Sequence, residues 1–363
     1  MNFKELQNNF KIRYNTNIPP KCTFVGKPLF LLGDVICNFD FPSLSTALSV
    51  GTALAFDISA DNSNHIQENN NNLCYSCKSG NGSGYHTENY SKTIFKTIDK
   101  LESDFNISFS GLNMLFSHTA AQRQFHNFLA PLLSALYLTF LPDTPLSSFI
   151  PVFSSDLSPR EINGIFTSLI SYQNSCILIN SISDYNQYIF PMESKKIIII
   201  KISEKKHYLS AEIKNALNSY HKYLSANGLN YDLNYNILNS GIPLTEKEKK
   251  LLCFTLNEEK RIKKHPKISD FAEFYNIINQ SSEELLDLLN DSSFNTLTEI
   301  ISNHTSAFRP MPEDASIYCI IDNNAVDEFI GFCEKEYEKK AGYKPTFYIC
   351  DTITSGISKG IIH

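Results

Sequence analysis

Val326-Asp-Glu-Phe-Ile330, followed by Glu336-Tyr-Glu-Lys-Lys-Ala-Gly-Tyr-Lys-Pro-Thr-Phe-Tyr348, is the stretch that decides the fold class of this chain. Val326, Phe329, Ile330, Cys333 and Tyr337 recur at three- and four-residue steps, which predicts an amphipathic helix over 323–341 with those side chains buried. A strand is expected before it, over 316–322, and another after it, over 346–351, so the chain closes β-α-β. Further upstream, 195–203 contains four consecutive isoleucines and reads as a strand buried on both faces. The region between, 207–303, is mainly helical and interrupted by a loop over 227–243.

The N-terminal half reads differently. A short helix over 1–14 gives way to a break at 17–21 that carries two prolines. Strands are expected over 30–32, 44–58 and 105–109, and helices over 93–101, 125–137 and 159–170. A β meander begins at 176–180. Between the second strand and the first of these helices lies a polar insertion, 60–90, with the tract Asn69, Asn70, Asn71 and Asn72. Cys74-Tyr-Ser-Cys77 within it has the spacing of half a zinc site, with His65 and His86 nearby, but no second cysteine pair follows. The reading adopted is a flexible surface insertion with incidental thiols and no metal site. The expected class is α+β, with a β-rich N-terminal lobe, 1–185, and a helix-rich C-terminal lobe, 186–363.

Composition narrows the function. The chain has 363 residues, 42% hydrophobic and 19% charged, which suits a soluble globular protein of two domains. With 32 basic and 38 acidic residues the net charge is −6, which argues against nucleic acid as a partner. Only five arginines occur, Arg13, Arg123, Arg160, Arg261 and Arg309, a sparse set for gripping phosphate. The most apolar stretch, 128–141, is too short to span a bilayer, so no membrane association is expected. Nine scattered cysteines suit reduced thiols in a cytoplasm.

The tail quoted above resembles the closing helix and strand of galactokinases, members of the GHMP kinases, and Ser302-Asn-His-Thr-Ser306 resembles their Glu-Ser-His-x-Ser helix. The resemblance runs through nearly the whole chain and implies the two-lobed GHMP-kinase fold. It also locates the family's functional motifs. Where galactokinases carry Gly-Arg-Val-Asn-Leu-Ile-Gly-Glu-His-Thr-Asp-Tyr, this chain has Gly26-Lys-Pro-Leu-Phe-Leu-Leu-Gly33-Asp-Val-Ile-Cys-Asn38. Lys27 takes the place of the arginine beside the transferred phosphoryl group. Asp34, Val35 and Cys37 take the places of the Glu, His and Asp that hold sugar hydroxyls, and form a sugar-binding remnant. The phosphate loop Pro-Leu-Gly-Ala-Gly-Leu-Ser-Ser-Ser-Ala becomes Met114-Leu-Phe-Ser-His-Thr-Ala-Ala-Gln-Arg123. Phe116 and His118 stand where glycines would let backbone N–H groups approach phosphate, and Ala120, Ala121 and Gln122 replace the serines. His118 and Arg123 read as a packed loop residue and an ordinary charged helix start.

In Gly164-Ile-Phe-Thr-Ser-Leu-Ile-Ser171, which resembles the family's Gly-Ile-Met-Asp-Gln-Phe-Ile-Ser, Thr167 replaces the catalytic Asp. A threonine hydroxyl is no useful proton acceptor near neutral pH. The third motif, Gly-Gly-Gly-Phe-Gly-Gly, is absent: between Ser306 and Ser316 the chain runs Ala-Phe-Arg-Pro-Met-Pro-Glu-Asp-Ala. Loss of a general base alone costs about 10² to 10⁴ in rate, and phosphoryl transfer depends almost wholly on positioning and charge. The resemblance therefore implies a galactokinase-family pseudoenzyme, a ligand-binding or regulatory protein whose partner is a small molecule or a protein, with no cofactor expected. The alternative is a divergent but active sugar kinase using ATP and Mg²⁺, recruiting Lys27, Asp34, Arg160 and Glu161. New non-kinase chemistry has no Ser/His/Asp arrangement or metal cluster to support it.

Overall fold

The run of isoleucines expected to be buried on both faces becomes the interior of a four-stranded antiparallel sheet. In the computed structural model β8 (Lys195–Lys201) lies between β10 (Ser316–Asp322) and β11 (Thr346–Cys350), and β9 (Ala307–Met311) pairs with the far side of β10. The residues described are 2–61, 63–69, 74–78, 89–109, 111–119, 126–150, 157–190, 192, 194–202, 206–229, 233–238, 240–264 and 270–362. They form two compact units. One comprises Met1–Leu29, Thr46–Cys176 and Thr352–His363, the other Phe30–Ser45 and Ile177–Asp351.

In the second unit the alternation along the sheet fixes its core. Ile198 and Ile200 of β8 and Ile317, Cys319 and Ile321 of β10 face Phe294, Leu297 and Ile301 of a helix at Ser292–Ile301. They also face Val326, Phe329, Cys333 and Tyr337 of a helix at Val326–Ala341, with Ile330 partly buried beside them. The closing β-α-β is thus present as read. Strand β9 was not expected. It is an edge strand, and side chains of a helix at Phe271–Leu289 satisfy its open backbone. Ser282 donates to the Phe308 carbonyl, and Asn279 Oδ1 accepts from the Phe308 N–H at 3.2 Å. Such cover removes the exposed pairing edge that would otherwise invite another chain. A further helix, Glu246–Lys264, also belongs to this unit, as do β7 (Asp184–Ile189) and most of β6 (Ser175–Ser181).

Local signals hold the helix Ser292–Ile301. Asp291 caps it, accepting from the N–H groups of Ser293 at 2.8 Å and Phe294 at 3.4 Å, and it pairs with His207 at 3.0 Å. Burial opposes ionisation of Asp291, but those N–H groups and His207 outweigh it and hold its carboxyl below the ordinary value.

In the first unit, helix Phe3–Tyr14 packs Leu6 and Phe10 on Cys22, Phe24, Ala53, Ala55 and Leu115. Strand β1 (Lys21–Leu32) begins here, as does most of β2 (Ser43–Ile58). β1 is longer than expected, because the extended backbone continues through Gly26 and Pro28. Gly26 and Gly51 allow β1 and β2 to approach closely: a Cβ on Gly51 would lie 2.1 Å from the Val25 carbonyl oxygen. Residues 52–58 of β2 pair antiparallel with β5 (Leu112–His118), and β5 pairs parallel with β3 (Ser63–Glu68).

Two expectations fail here. The polar insertion is not wholly a flexible loop, since β3 pairs antiparallel with β4 (Cys74–Lys78) and Ile66 is fully buried. Arg13 secures that segment by donating to Gln67 Oε1 at 3.3 Å, the Glu68 carbonyl at 3.1 Å and the Asn69 carbonyl at 2.9 Å. Long-range bonds of this kind leave no period in a polar sequence. The strand expected over 105–109 is also absent. Helix Asn89–Phe105 runs up to Asn106, whose left-handed backbone (φ 51°) ends it, and the Phe109 N–H then donates to Glu102 Oε1 at 2.8 Å. His86 and 79–85 lie outside the described residues.

We expect Gly51→Ala to destabilise the protein by about 1–3 kcal/mol in urea melts, because backbone and not a flexible side chain must give way. Asp291→Ala should cost about 1 kcal/mol at pH 7. A depressed carboxyl contributes stability that is fully present above its unfolded-state value and is lost as pH falls through the folded one. The gap between wild type and Asp291→Ala should therefore narrow below pH 3.8.

Candidate functional site

Within the second unit, the chain leaves β1 through Gly33, whose φ of +83° lies in the left-handed region that glycine tolerates. Asp34, Val35 and Cys37 follow, all fully buried or nearly so. The three positions expected to form a sugar-binding remnant thus lie together in one turn, buried and not at a surface. Asp34, at 2% exposure, faces the guanidinium of Arg309, whose Nη2 lies 2.7 Å from Asp34 Oδ1. The contact is electrostatic more than directional, since neither Asp34 oxygen lies in line with a donor among the described residues. Cys37 Sγ turns back toward the Asp34 carbonyl at 3.5 Å.

Arg309 is the centre of the arrangement and is itself completely buried in β9. Its Nη2 also donates to Glu258 Oε1 at 3.0 Å, and its Nε donates to Ser281 Oγ at 3.0 Å. Glu258, on helix Glu246–Lys264 and fully buried, accepts the Gly33 N–H at 3.0 Å through the same oxygen. Its second oxygen accepts from Arg261 Nη1 at 3.3 Å, and Arg261 continues to Glu284. Burial alone would disfavour the charge on Arg309, but Asp34 and Glu258 overcompensate and lift the guanidinium above its ordinary range. Beside it on β10, burial, reinforced by Glu258 and Asp34, raises the Tyr318 hydroxyl well above the usual phenol range, and that hydroxyl donates to the Leu31 carbonyl at 2.8 Å. A chain of alternating charge therefore runs from the Gly33–Asp34 turn to Glu284 on helix Phe271–Leu289.

The first unit holds the remaining candidates. Phe116 and His118 lie on strand β5 and not in a loop, because residues with a Cβ continue the extended backbone where glycines would free it. Phe116 meets the Phe128 ring edge-on at 5.3 Å, and the His118 ring meets Phe128 at 4.8 Å. His118 Nδ1 also lies 2.7 Å from Thr52 Oγ1 on the paired strand β2. Ala120, Ala121, Gln122 and Arg123 lie outside the described residues. Thr167 sits on helix Pro159–Ile170, fully buried, and its hydroxyl donates to the Asn163 carbonyl one turn back at 2.8 Å. Lys27 is half-buried on β1. Glu161 closes a capping box with Ser158, whose N–H and hydroxyl both donate to Glu161 Oε2 at 2.8 Å. Among the described residues no cluster of three or more His, Cys, Asp or Glu is arranged to hold a metal, and no helix is long and apolar enough to cross a membrane.

Sequence reasoning missed Arg309, Glu258 and Arg261. One signal was available: Arg309 is one of five arginines and stands between Phe308 and Pro310 in an otherwise apolar run. An isolated arginine in such a run needs a buried carboxylate. We expect Arg309→Met to lower the unfolding free energy by about 3–5 kcal/mol, since it strips buried Asp34 of its counter-ion and leaves buried Glu258 with Arg261 alone. Adding Asp34→Asn should recover part of that loss in the same denaturation assay, because the two side chains act as a unit.

No protein-family model matches the chain, and no curated protein sequence matches it. Solved structures do. Galactokinase from Lactococcus lactis, complexed with galactose, aligns with a TM-score of 0.84 over 97% of this chain and 98% of its own, at 14% identity. Mevalonate kinase from Methanococcus jannaschii aligns at 0.65 over 93% and 99%, with 10% identity. Homoserine kinase from Cytophaga hutchinsonii aligns at 0.58 over 94% and 97%, with 11% identity. Strand-rich in its N-terminal region and helical toward its C-terminus, this chain has the galactokinase-like GHMP-kinase fold.

Proposed function

We propose that this protein is a galactokinase-family pseudoenzyme, a ligand-binding or regulatory protein that has kept the fold of a sugar kinase and lost its phosphoryl-transfer chemistry. The observation that carries the reading is Thr167. It stands where the resemblance puts the catalytic carboxylate, it is fully buried, and its hydroxyl donates to the Asn163 carbonyl of its own helix. Such a group offers no base to a substrate hydroxyl. Asp34 supports the same reading, because it faces Arg309 inside the second unit. Phe116 and His118 add to it: aromatic packing against Phe128 replaces the glycine backbone that would cradle phosphate. Glu161, a candidate for a rebuilt site, is engaged in a helix cap. The seven free cysteines among the described residues support a reducing, cytoplasmic setting.

The test is a melting-temperature panel of sugars with and without Mg-ATP, run beside an assay for ATP-dependent phosphorylation of galactose. A ligand present at 100 times its Kd stabilises the folded state by about 2.7 kcal/mol, enough to read as a shift. We expect no turnover and no shift with galactose or Mg-ATP. Phosphorylation of galactose by the pure protein, abolished by Lys27→Ala, would establish an active kinase instead.

A further inference from the structure

On the second unit, two helices present facing rows of polar side chains that the charge chain above does not exhaust. Asn257, Lys260, Arg261 and Lys264 recur along one side of helix Glu246–Lys264, and Ile277, Gln280 and Glu284 recur at matching steps along helix Phe271–Leu289. Together they line a pocket of about 270 Å³. Among the described residues that line it, three are cationic and one is acidic.

Glu284, the one carboxylate among these described residues, is already neutralised. Glu284 accepts from Arg261 Nη2, and Asn257 Nδ2 donates to its two oxygens at 3.1 and 3.2 Å. Arg261, with 10% of its side chain exposed, is held between buried Glu258 and Glu284 and forms a fixed wall whose charge those carboxylates already balance, which leaves the two lysines as the cations open to an anion. The two lysines are differently placed. Lys260 lies over the Tyr235 ring, 4.1 Å from its centroid, and has no carboxylate partner among the described residues. Lys264 pairs with Glu273 at 2.6 Å, but both side chains are more than 40% exposed, and such surface pairs are worth only about 0–1 kcal/mol. A bound anion can take that lysine over at small cost. Ile277, buried, supplies an apolar wall.

Complementing the helix C-terminus explains cations in the last turn of one helix. It does not explain a neutralised acid, a braced guanidinium and an apolar wall on the opposing helix around the same space. We infer that this pocket binds a small phosphate monoester, with Lys260 and Lys264 on the phosphate and the ester's carbon skeleton against Ile277. Lysine suits phosphate as a mobile point charge. The pocket is built from one unit alone. The inference stands apart from the proposed function and does not depend on it.

The experiment titrates the full-length protein with inorganic phosphate and, separately, glucose 6-phosphate, reading melting temperature and calorimetric heat, with sodium chloride at equal ionic strength as control. We expect a saturable shift with the hexose phosphate and a weaker one with inorganic phosphate. Lys260→Met and Lys264→Met should each weaken binding at least about tenfold, as for loss of a charged hydrogen bond. The double variant should lose it. Both lysines are exposed, so the variants should keep the wild-type melting temperature without ligand. The inference is overturned by no binding of the hexose phosphate, by a shift the chloride control reproduces, or by binding that survives in the double variant. Equal affinity for both phosphates would overturn the monoester assignment.

Discussion

Arg309 is the residue around which the second unit is organised. A guanidinium removed from water costs several kcal/mol unless opposite charge and hydrogen-bond acceptors surround it. Here Asp34, Glu258 and Ser281 do so, and each comes from a different part of the chain. Meeting Arg309 fixes the turn after β1, the helix Glu246–Lys264, the helix Phe271–Leu289 and the edge strand β9 in one register. The Gly33 N–H bonded to Glu258 closes the arrangement onto backbone. Much of the Coulomb energy of such a buried ionic group offsets desolvation, so its net contribution to stability is small, whereas removing one partner strands the others.

Side chains at the motif positions of the first unit are likewise engaged in packing and hydrogen bonds. Thr167 donates its hydroxyl to a carbonyl of its own helix, and Phe116 extends a strand and meets Phe128 edge-on. His118 meets the same ring and bonds across to Thr52. These residues serve burial and hydrogen bonding, and they hold the backbone in place. A fold shared at 14% identity with a galactokinase is compatible with this, since a core tolerates extensive substitution if volume and pattern persist.

The elements with strong periodicity were legible in the sequence. Helix Val326–Ala341, with Val326, Phe329, Cys333 and Tyr337 inward, and strand β8 with its isoleucines both follow from spacing and apolarity alone. Helix Pro159–Ile170 was legible in full, with Ser158 and Glu161 marking its start. Elements made by long-range partners were not legible. β3 and β4 are polar and owe their pairing to β5 and Arg13, β9 was hidden by the charged Arg309 and by Pro310 within it, and the strand expected over 105–109 yielded to a left-handed Asn106.

Residue identity alone establishes that position 167 carries no carboxylate and that positions 116 and 118 are not glycine, and short-range periodicity points to the closing β-α-β. Each depends on residue identity or on a period of a few residues. Only the tertiary structure decided that Asp34 is an internal counter-ion, that Arg309 and Glu258 complete it, and that three cations gather around one pocket. The partners are separated by 225 residues between Gly33 and Glu258 and by 51 between Glu258 and Arg309. A charge in a sequence states its sign but not its neighbour, and burial, which makes the pairing obligatory, exists only once the chain has folded.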